Sequence, residues 1–330
     1  MRTQGFYIAI LSVLIIGFIM GCSGPAGGER PVSMAIGCQK SDWRTPIGSG
    51  VAMSTRHYRV YTTSRNEMLL EHFGGFMEAS YRNYLSITGL EDAPIGQPMV
   101  VYMMGTRDEW SALTKSIFDE THNRLYQSIR AGGYCYQKVC VFWDMGGMGT
   151  LSTAAHEGLH QLLGYRMGSQ LPMWVEEGLC TLAEGYEIQG DTVLFTPGRN
   201  SSRYSDLRDN MMQGRWIPLK RLLPMDAGDA VTKATTEEAV GYYGQLWALA
   251  LFIRSNDVYR AGLERMMRDA QSGNFMDAMG IPPEAIKRMQ SQGRFYNRAV
   301  SERLFRHYIS ADLEKFEVEY RSFAGKLAGI

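Results

Sequence analysis

Two histidines four residues apart with a glutamate after the first, His156-Glu157-Gly158-Leu159-His160, are the residues of this chain best suited to chemistry. On an α-helix this spacing sets both imidazoles on one face, where they reach a single tetrahedral ion. Glu157 then lies beside the metal, and a carboxylate there takes a proton from an attacking water and later passes it to a leaving group. Zinc in such a site lowers the pKa of its water to about 7, which makes hydroxide available near neutral pH. The competing reading is a helix with two solvent-facing histidines and a salt-bridging glutamate. With six histidines in 330 residues, the pattern arises by chance on the order of once per hundred such chains.

The surroundings favour the metal. Ala155, Leu159, Leu162 and Leu163 follow the i, i+4, i+7, i+8 spacing of a core-facing stripe, which leaves the histidines on another face. Ser152 or Thr153 is suited to cap the helix start and Gly164 to end it. Gly158 costs about 1 kcal/mol in a helix relative to Ala, and a closely approaching strand is the packing reason that suits it. Two histidines hold zinc poorly, so a third ligand is required. The run from Pro172 to Gly185 reads as a second short helix, with Pro in its first turn and Gly at its end, and its glutamates can return to the site.

With these residues the chain resembles the gluzincin metallopeptidases, in which H-E-x-x-H is followed by a helix carrying W-x-x-E-G. Here that segment is Trp174-Val175-Glu176-Glu177-Gly178. The resemblance implies Glu177 as the third zinc ligand, with Glu176 the competing residue. Helical neighbours point about 100° apart, so only one of them faces the ion. More closely, the chain is similar to the peptidase MA-like bacterial family, through Gly132-Gly133-Tyr134, Pro172-x-Trp174-x-x-Glu177-Gly178 and Tyr243-Gly244-Gln245-Leu246-Trp247. The likeness runs over residues 55 to 325 and is specific over 151 to 185. It implies an α+β, gluzincin-like fold: a small mixed sheet packed on the H-E-x-x-H helix, with a largely helical C-terminal lobe. The G-A-M-E-N segment by which many gluzincin aminopeptidases hold a free amine is missing, so that specificity is not implied.

Tyr243 begins the most apolar helical stretch and is suited to donate to the oxyanion of a tetrahedral intermediate. It equally suits a core tyrosine with a satisfied hydroxyl. His57, His72, His122 and His307 have no ligand-like spacing to the motif. The 21 methionines fit irregular core gaps better than copper binding.

The elements that must position these residues are legible in outline. His57 to Thr63 and Pro98 to Met104 read as strands, and Glu67 to Leu85 and Arg107 to Ile117 as helices. Ahead of the motif, a two-residue turn at Gln137-Lys138 would set Cys135 opposite Cys140. A disulfide and two reduced thiols are both open there, because Gln-Lys is a poor type I′ turn. An extended peptide could add to a sheet edge around Gly133 to Val141, and an ordinary structural hairpin is the rival reading. A short hairpin at Gln189-Gly190-Asp191 leads to helices at Arg203 to Met212, Glu237 to Arg254, Tyr259 to Ala270 and Ala299 to Ala324.

The N-terminus has the basic start and apolar run of a signal peptide, shorter than the roughly 20 residues that span a bilayer. Ile19-Met20-Gly21-Cys22 resembles a bacterial lipobox, which implies cleavage before Cys22 and a lipid-anchored, exported protein. The reading is therefore residues 1–21 signal peptide, 22–54 flexible tether, 55–185 α+β zinc-binding lobe and 186–330 mainly helical lobe, with the cleft between the two. The net charge of zero, without a basic run, favours no nucleic acid. The leading expectation is a membrane-anchored zinc metallopeptidase with a peptide or protein substrate and Zn2+ on His156, His160 and Glu177. The alternatives are a non-catalytic zinc-binding or scaffold lipoprotein that keeps the fold, and a hydrolase of a non-peptide amide.

Overall fold

The computed structural model describes residues 30–45, 48–129, 132–226, 236–274 and 294–330, with short pieces at 279–282, 284–285 and 288. The expected signal peptide and Cys22 lie outside the described residues. The fold is mixed α+β, built around a six-stranded sheet and a three-stranded one.

Strand β1 (Val32–Ser33) belongs to the small sheet, and β2 (Gln39–Thr45), β3 (Gly48–Ser54) and β4 (Tyr58–Thr62) open the large one as an antiparallel meander. Helix α1 (Glu67–Thr88) then crosses the sheet so that β5 (Met99–Met104) runs parallel to β4. Helices α2 (Arg107–Ile117) and α3 (Glu120–Gln127) lead to the hairpin β6 (Gly133–Tyr136) and β7 (Val139–Trp143), with β7 parallel to β5 and β6 at the sheet edge. The order is β2-β3-β4-β5-β7-β6.

Alternation along the strands decides what covers each face. Met99, Val101 and Met103 join Cys140 and Phe142 in the main core, which α1 and the motif helix also fill. The intervening Met104, Val141 and Trp143 face the other way, into a smaller cluster under Trp110 of α2 and Tyr134 of β6.

The reading of 22–54 as a tether is overturned from residue 32 onward. β2 and β3 are integral strands, β1 pairs with the later strand β9, and buried Met34 lies across Gly75 of α1, where no Cβ would fit. β2 escapes a sequence reading because Gln39-Lys-Ser-Asp-Trp-Arg-Thr45 carries only one large apolar residue.

The motif lies on α4 (Gly147–Arg166), which begins a turn before Ser152 and runs past Gly164. The expected caps are therefore corrected. The start is tied instead by Asp144, whose Oδ1 accepts from Gly146 N at 2.9 Å and from Thr150 Oγ1 at 3.2 Å. Ala155, Leu159, Leu162 and Leu163 are buried, as their spacing requires. Inside the core, Gln161 Nε2 donates to Val100 O and Lys138 O, both at 2.7 Å, which fixes α4 against the sheet.

Gly158 is explained by a helix rather than a strand. A Cβ there would collide with the Tyr84 hydroxyl of α1, with Met77 Cε 3.1 Å away. Tyr84 is fully buried and donates to Ala154 O, so it has little room to yield. Gly158→Ala is expected to lower stability on the order of 1 kcal/mol, because the overpacking cost outweighs the gain in helix propensity. A urea midpoint unchanged or raised in the variant would contradict this packing.

Next come α5 (Met173–Ala183) and the hairpin β8 (Tyr186–Gln189) and β9 (Thr192–Phe195), with the turn at Gly190-Asp191 as expected. Helices α6 (Ser201–Met212), α7 (Leu219–Leu222), α8 (Thr236–Ser255), α9 (Asp257–Ser272), α10 (Arg294–Tyr308) and α11 (Leu313–Ala328) complete the chain. The single helix expected over 299–324 is two, because Asp312 caps a new start by accepting from Lys315 N at 2.9 Å. One hydrophobic core runs from Met34 through α4, α5 and α8 to Ala328. No helix among the described residues is long and apolar enough to cross a membrane.

Candidate metal centre

α4 and α5 bring the candidate residues together. His156 Nε2 and His160 Nε2 are 3.2 Å apart, as one helical turn on a shared face dictates. Glu177 Oε2, from α5, lies 3.2 Å from the first and 3.6 Å from the second. A tetrahedral ion with donors about 2.0 to 2.2 Å away sets donor–donor edges of about 3.3 to 3.6 Å. The three atoms thus have the mutual spacing of metal ligands. Glu177 Oε2 is also buried without a hydrogen-bond partner among the described residues, an arrangement that costs free energy unless a cation meets it.

Cys180 lies one turn after Glu177 on the same helix, and His156, His160 and Cys180 also form a group able to hold a metal ion, with ligand atoms within 4.8 Å of one another. The carboxylate is the better third donor. It lies 3.2 and 3.6 Å from the two imidazoles, which hold its pKa well below the usual range against the effect of burial. Burial pushes the Cys180 thiol up to about 12.

Each imidazole is aimed by a second carboxylate. His156 Nδ1 meets Glu184 Oε1 at 2.7 Å, and His160 Nδ1 meets Glu176 Oε1 at 2.8 Å. Glu176, the competitor for the ligand position, thus pairs with the far nitrogen of His160. Burial alone would lower the His156 pKa, but Glu177 and Glu184 push it up to about 9. Burial would likewise raise Glu184, yet Arg203 and His156 hold it at about 2. Arg203 Nε and a terminal nitrogen reach the two oxygens of Glu184 at 2.8 Å each, and Asn200 Nδ2 donates to Oε2 at 2.9 Å.

The Glu184, Asn200 and Arg203 network is absent from the sequence reading. Its one signal is spacing: Glu177, Cys180 and Glu184 fall at i, i+3 and i+7, on one helical face. Such partners fix the tautomer and direction of a ligand histidine. Glu184→Gln is accordingly expected to weaken zinc binding about 10- to 100-fold while the fold persists. Competition with a chromophoric chelator measures this, and unchanged affinity would leave Glu184 a purely structural residue.

Glu157 is buried, and desolvation raises its pKa although His156 and His160 pull it down. Its Cγ lies against Gly133 of β6, where a Cβ would approach to 3.4 Å. The Tyr243 ring lies edge-on to His156 at 6.3 Å, under the Arg203 guanidinium at 5.1 Å. The structure thus gathers His156, Glu157, His160, Glu177 and Tyr243 at one place. His156 and His160 keep 12% and 14% side-chain exposure against 4% for Glu177, so the centre opens on the imidazole side. A separate cleft of about 550 Å³, at the ends of β4, β5 and β7, is lined by none of these residues.

Residues 150–271 match a family model described as a protein of unknown function, DUF1570. The match spans α4 to α9 and so holds every residue of the centre. No curated protein and no solved structure matches the chain.

Proposed function

We propose that this protein is a zinc metallopeptidase, with His156, His160 and Glu177 as metal ligands. The observation that carries the reading is the triangle of His156 Nε2, His160 Nε2 and the buried Glu177 Oε2, with edges of 3.2, 3.2 and 3.6 Å. Three protein donors and an open side are the pattern of catalytic zinc, whereas structural sites close all four positions. Zinc held there supplies Lewis acidity and an acidified water.

The remaining chemistry belongs to the chain. Glu157, held in a desolvated position against β6, accepts the proton of the attacking water and returns it to the leaving amine. The Tyr243 hydroxyl donates to the developing oxyanion. β6 borders Glu157 and is one of the two edge strands of the sheet, so an extended peptide pairing with it runs past the base. The likeness to gluzincins, carried by the H-E-x-x-H and W-x-x-E-G segments, supports the same assignment and the gluzincin packing of sheet on motif helix.

Metal analysis of the protein and a peptide-library digest test the reading together. Stoichiometric zinc and cleavage that stops with chelator and returns with zinc are expected. Bound zinc with no peptide cut would favour the scaffold alternative.

Export and lipid anchoring belong to the same proposal and rest on the lipobox alone. Cys22→Ala is expected to move the protein from the detergent phase to the aqueous phase on partition. A variant that still carries lipid would remove Cys22 as the acylation site.

A further inference from the structure

The β6–β7 hairpin holds a chemical group that the proposed hydrolysis does not use. Its turn has positive φ at both Gln137 (47°) and Lys138 (66°), the type I′ geometry that matches strand twist. The residues flanking a two-residue turn, here Tyr136 and Val139, exchange both main-chain hydrogen bonds. The next pair, Cys135 and Cys140, is therefore a non-hydrogen-bonded pair, whose Cα atoms stand about 4.5 Å apart. That falls within the separation of about 4.4 to 6.8 Å that a disulfide bridges.

Both side chains face the main core on the α4 side, and both are free thiols. Cys135 is half-buried and reachable, whereas Cys140 is fully buried and donates from Sγ to the Glu157 carbonyl at 3.1 Å. Two residues before Cys135, a Cβ added at Gly133 would come within 3.4 Å of Glu157 Cγ, so this strand runs beside the Glu157 side chain. The thiol pair thus sits on the strand that borders the proposed base.

We propose that Cys135 and Cys140 are a modification site: a reversible cross-strand disulfide, made by exchange with an external disulfide, that clamps β6 beside Glu157. Cys135, the accessible thiol, loses its proton and attacks one sulfur of the external disulfide, expelling one thiolate, which takes up a proton. Cys140 then loses its proton, attacks Cys135 Sγ and expels the second thiolate, which is protonated in turn. Two protein S–H bonds become one S–S bond, and the external disulfide is reduced to two thiols. Bridging removes the Sγ–H donation to Glu157 O and ties β6 to β7 next to the turn, so the edge strand loses freedom to peel away.

The test is made on the full chain and needs no substrate, so its outcome is independent of the peptidase reading. The protein is incubated with oxidised glutathione, remaining thiols are alkylated, and peptides are mapped by mass. The expected product links Cys135 to Cys140 with the loss of two hydrogens and reverts in dithiothreitol. A glutathione adduct that persists on Cys135 while Cys140 is still alkylated on unfolding overturns the proposal, as does full alkylation of both. In the bridged form, amide exchange at Tyr134 and Tyr136 is expected to slow about tenfold. Unchanged exchange in that form would overturn the clamp.

Discussion

Glu157→Gln is expected to keep zinc and lose hydrolysis by roughly 10²-fold or more, because the substitution preserves size and helix register and removes only the group that accepts a proton. The structure gives this separation its basis. Glu157 faces β6, while the three atoms that converge on the proposed metal position come from His156, His160 and Glu177. His156→Ala, by contrast, is expected to lose metal and activity together. Metal content and initial rates on the same preparations decide the matter. Full zinc with wild-type turnover in Glu157→Gln would end the general-base role, and loss of zinc in that variant would mean that Glu157 holds the centre together.

Zinc affinity is expected to fall in the order wild type, Glu176→Gln, Glu177→Gln. Glu176 acts through His160, and removal of such an orienting carboxylate typically costs about 10- to 100-fold in affinity. In the proposed centre Glu177 contributes the charged donor itself, so its amide variant is expected to fall beyond that range and to pair two imidazoles with a neutral oxygen. Cys180 makes the experiment sharper, since it is the other group in reach of both histidines. Should Glu177→Gln bind zinc as tightly as wild type while Cys180→Ser does not, the third donor is the thiolate.

The chemistry of this chain is more legible than its scaffold, for physical reasons. A four-residue spacing on an amphipathic helix constrains where side chains point, so His156, Glu157 and His160 need no tertiary information. The same holds for the buried stripe of Ala155, Leu159, Leu162 and Leu163. Glu177 and Tyr243 required the resemblance, because nothing local to α5 or α8 says which face meets α4. Apart from the helical spacing of Glu184, the network of Glu184, Asn200 and Arg203 left no local signal, as its bonds span 16 to 28 residues and depend on how α6 meets α5. The turn at Gln137-Lys138 forms despite weak turn chemistry, since pairing of β7 inside the sheet and the Gln161 bond to Lys138 O fix it from outside.

The meander ahead of α1 bears on where the chain can be cut. A protein shortened to begin at residue 55 would lose β2 and β3 and leave β4, otherwise an interior strand, with a row of unpaired N–H and C=O groups. It would also lose β1, the outer partner of β9, and bare the surface of α1 that Met34 covers. Such a fragment is set up to associate through its new edge rather than to fold as a monomer. Limited proteolysis should therefore leave β1, β2 and β3 in one resistant body with the rest of the sheet.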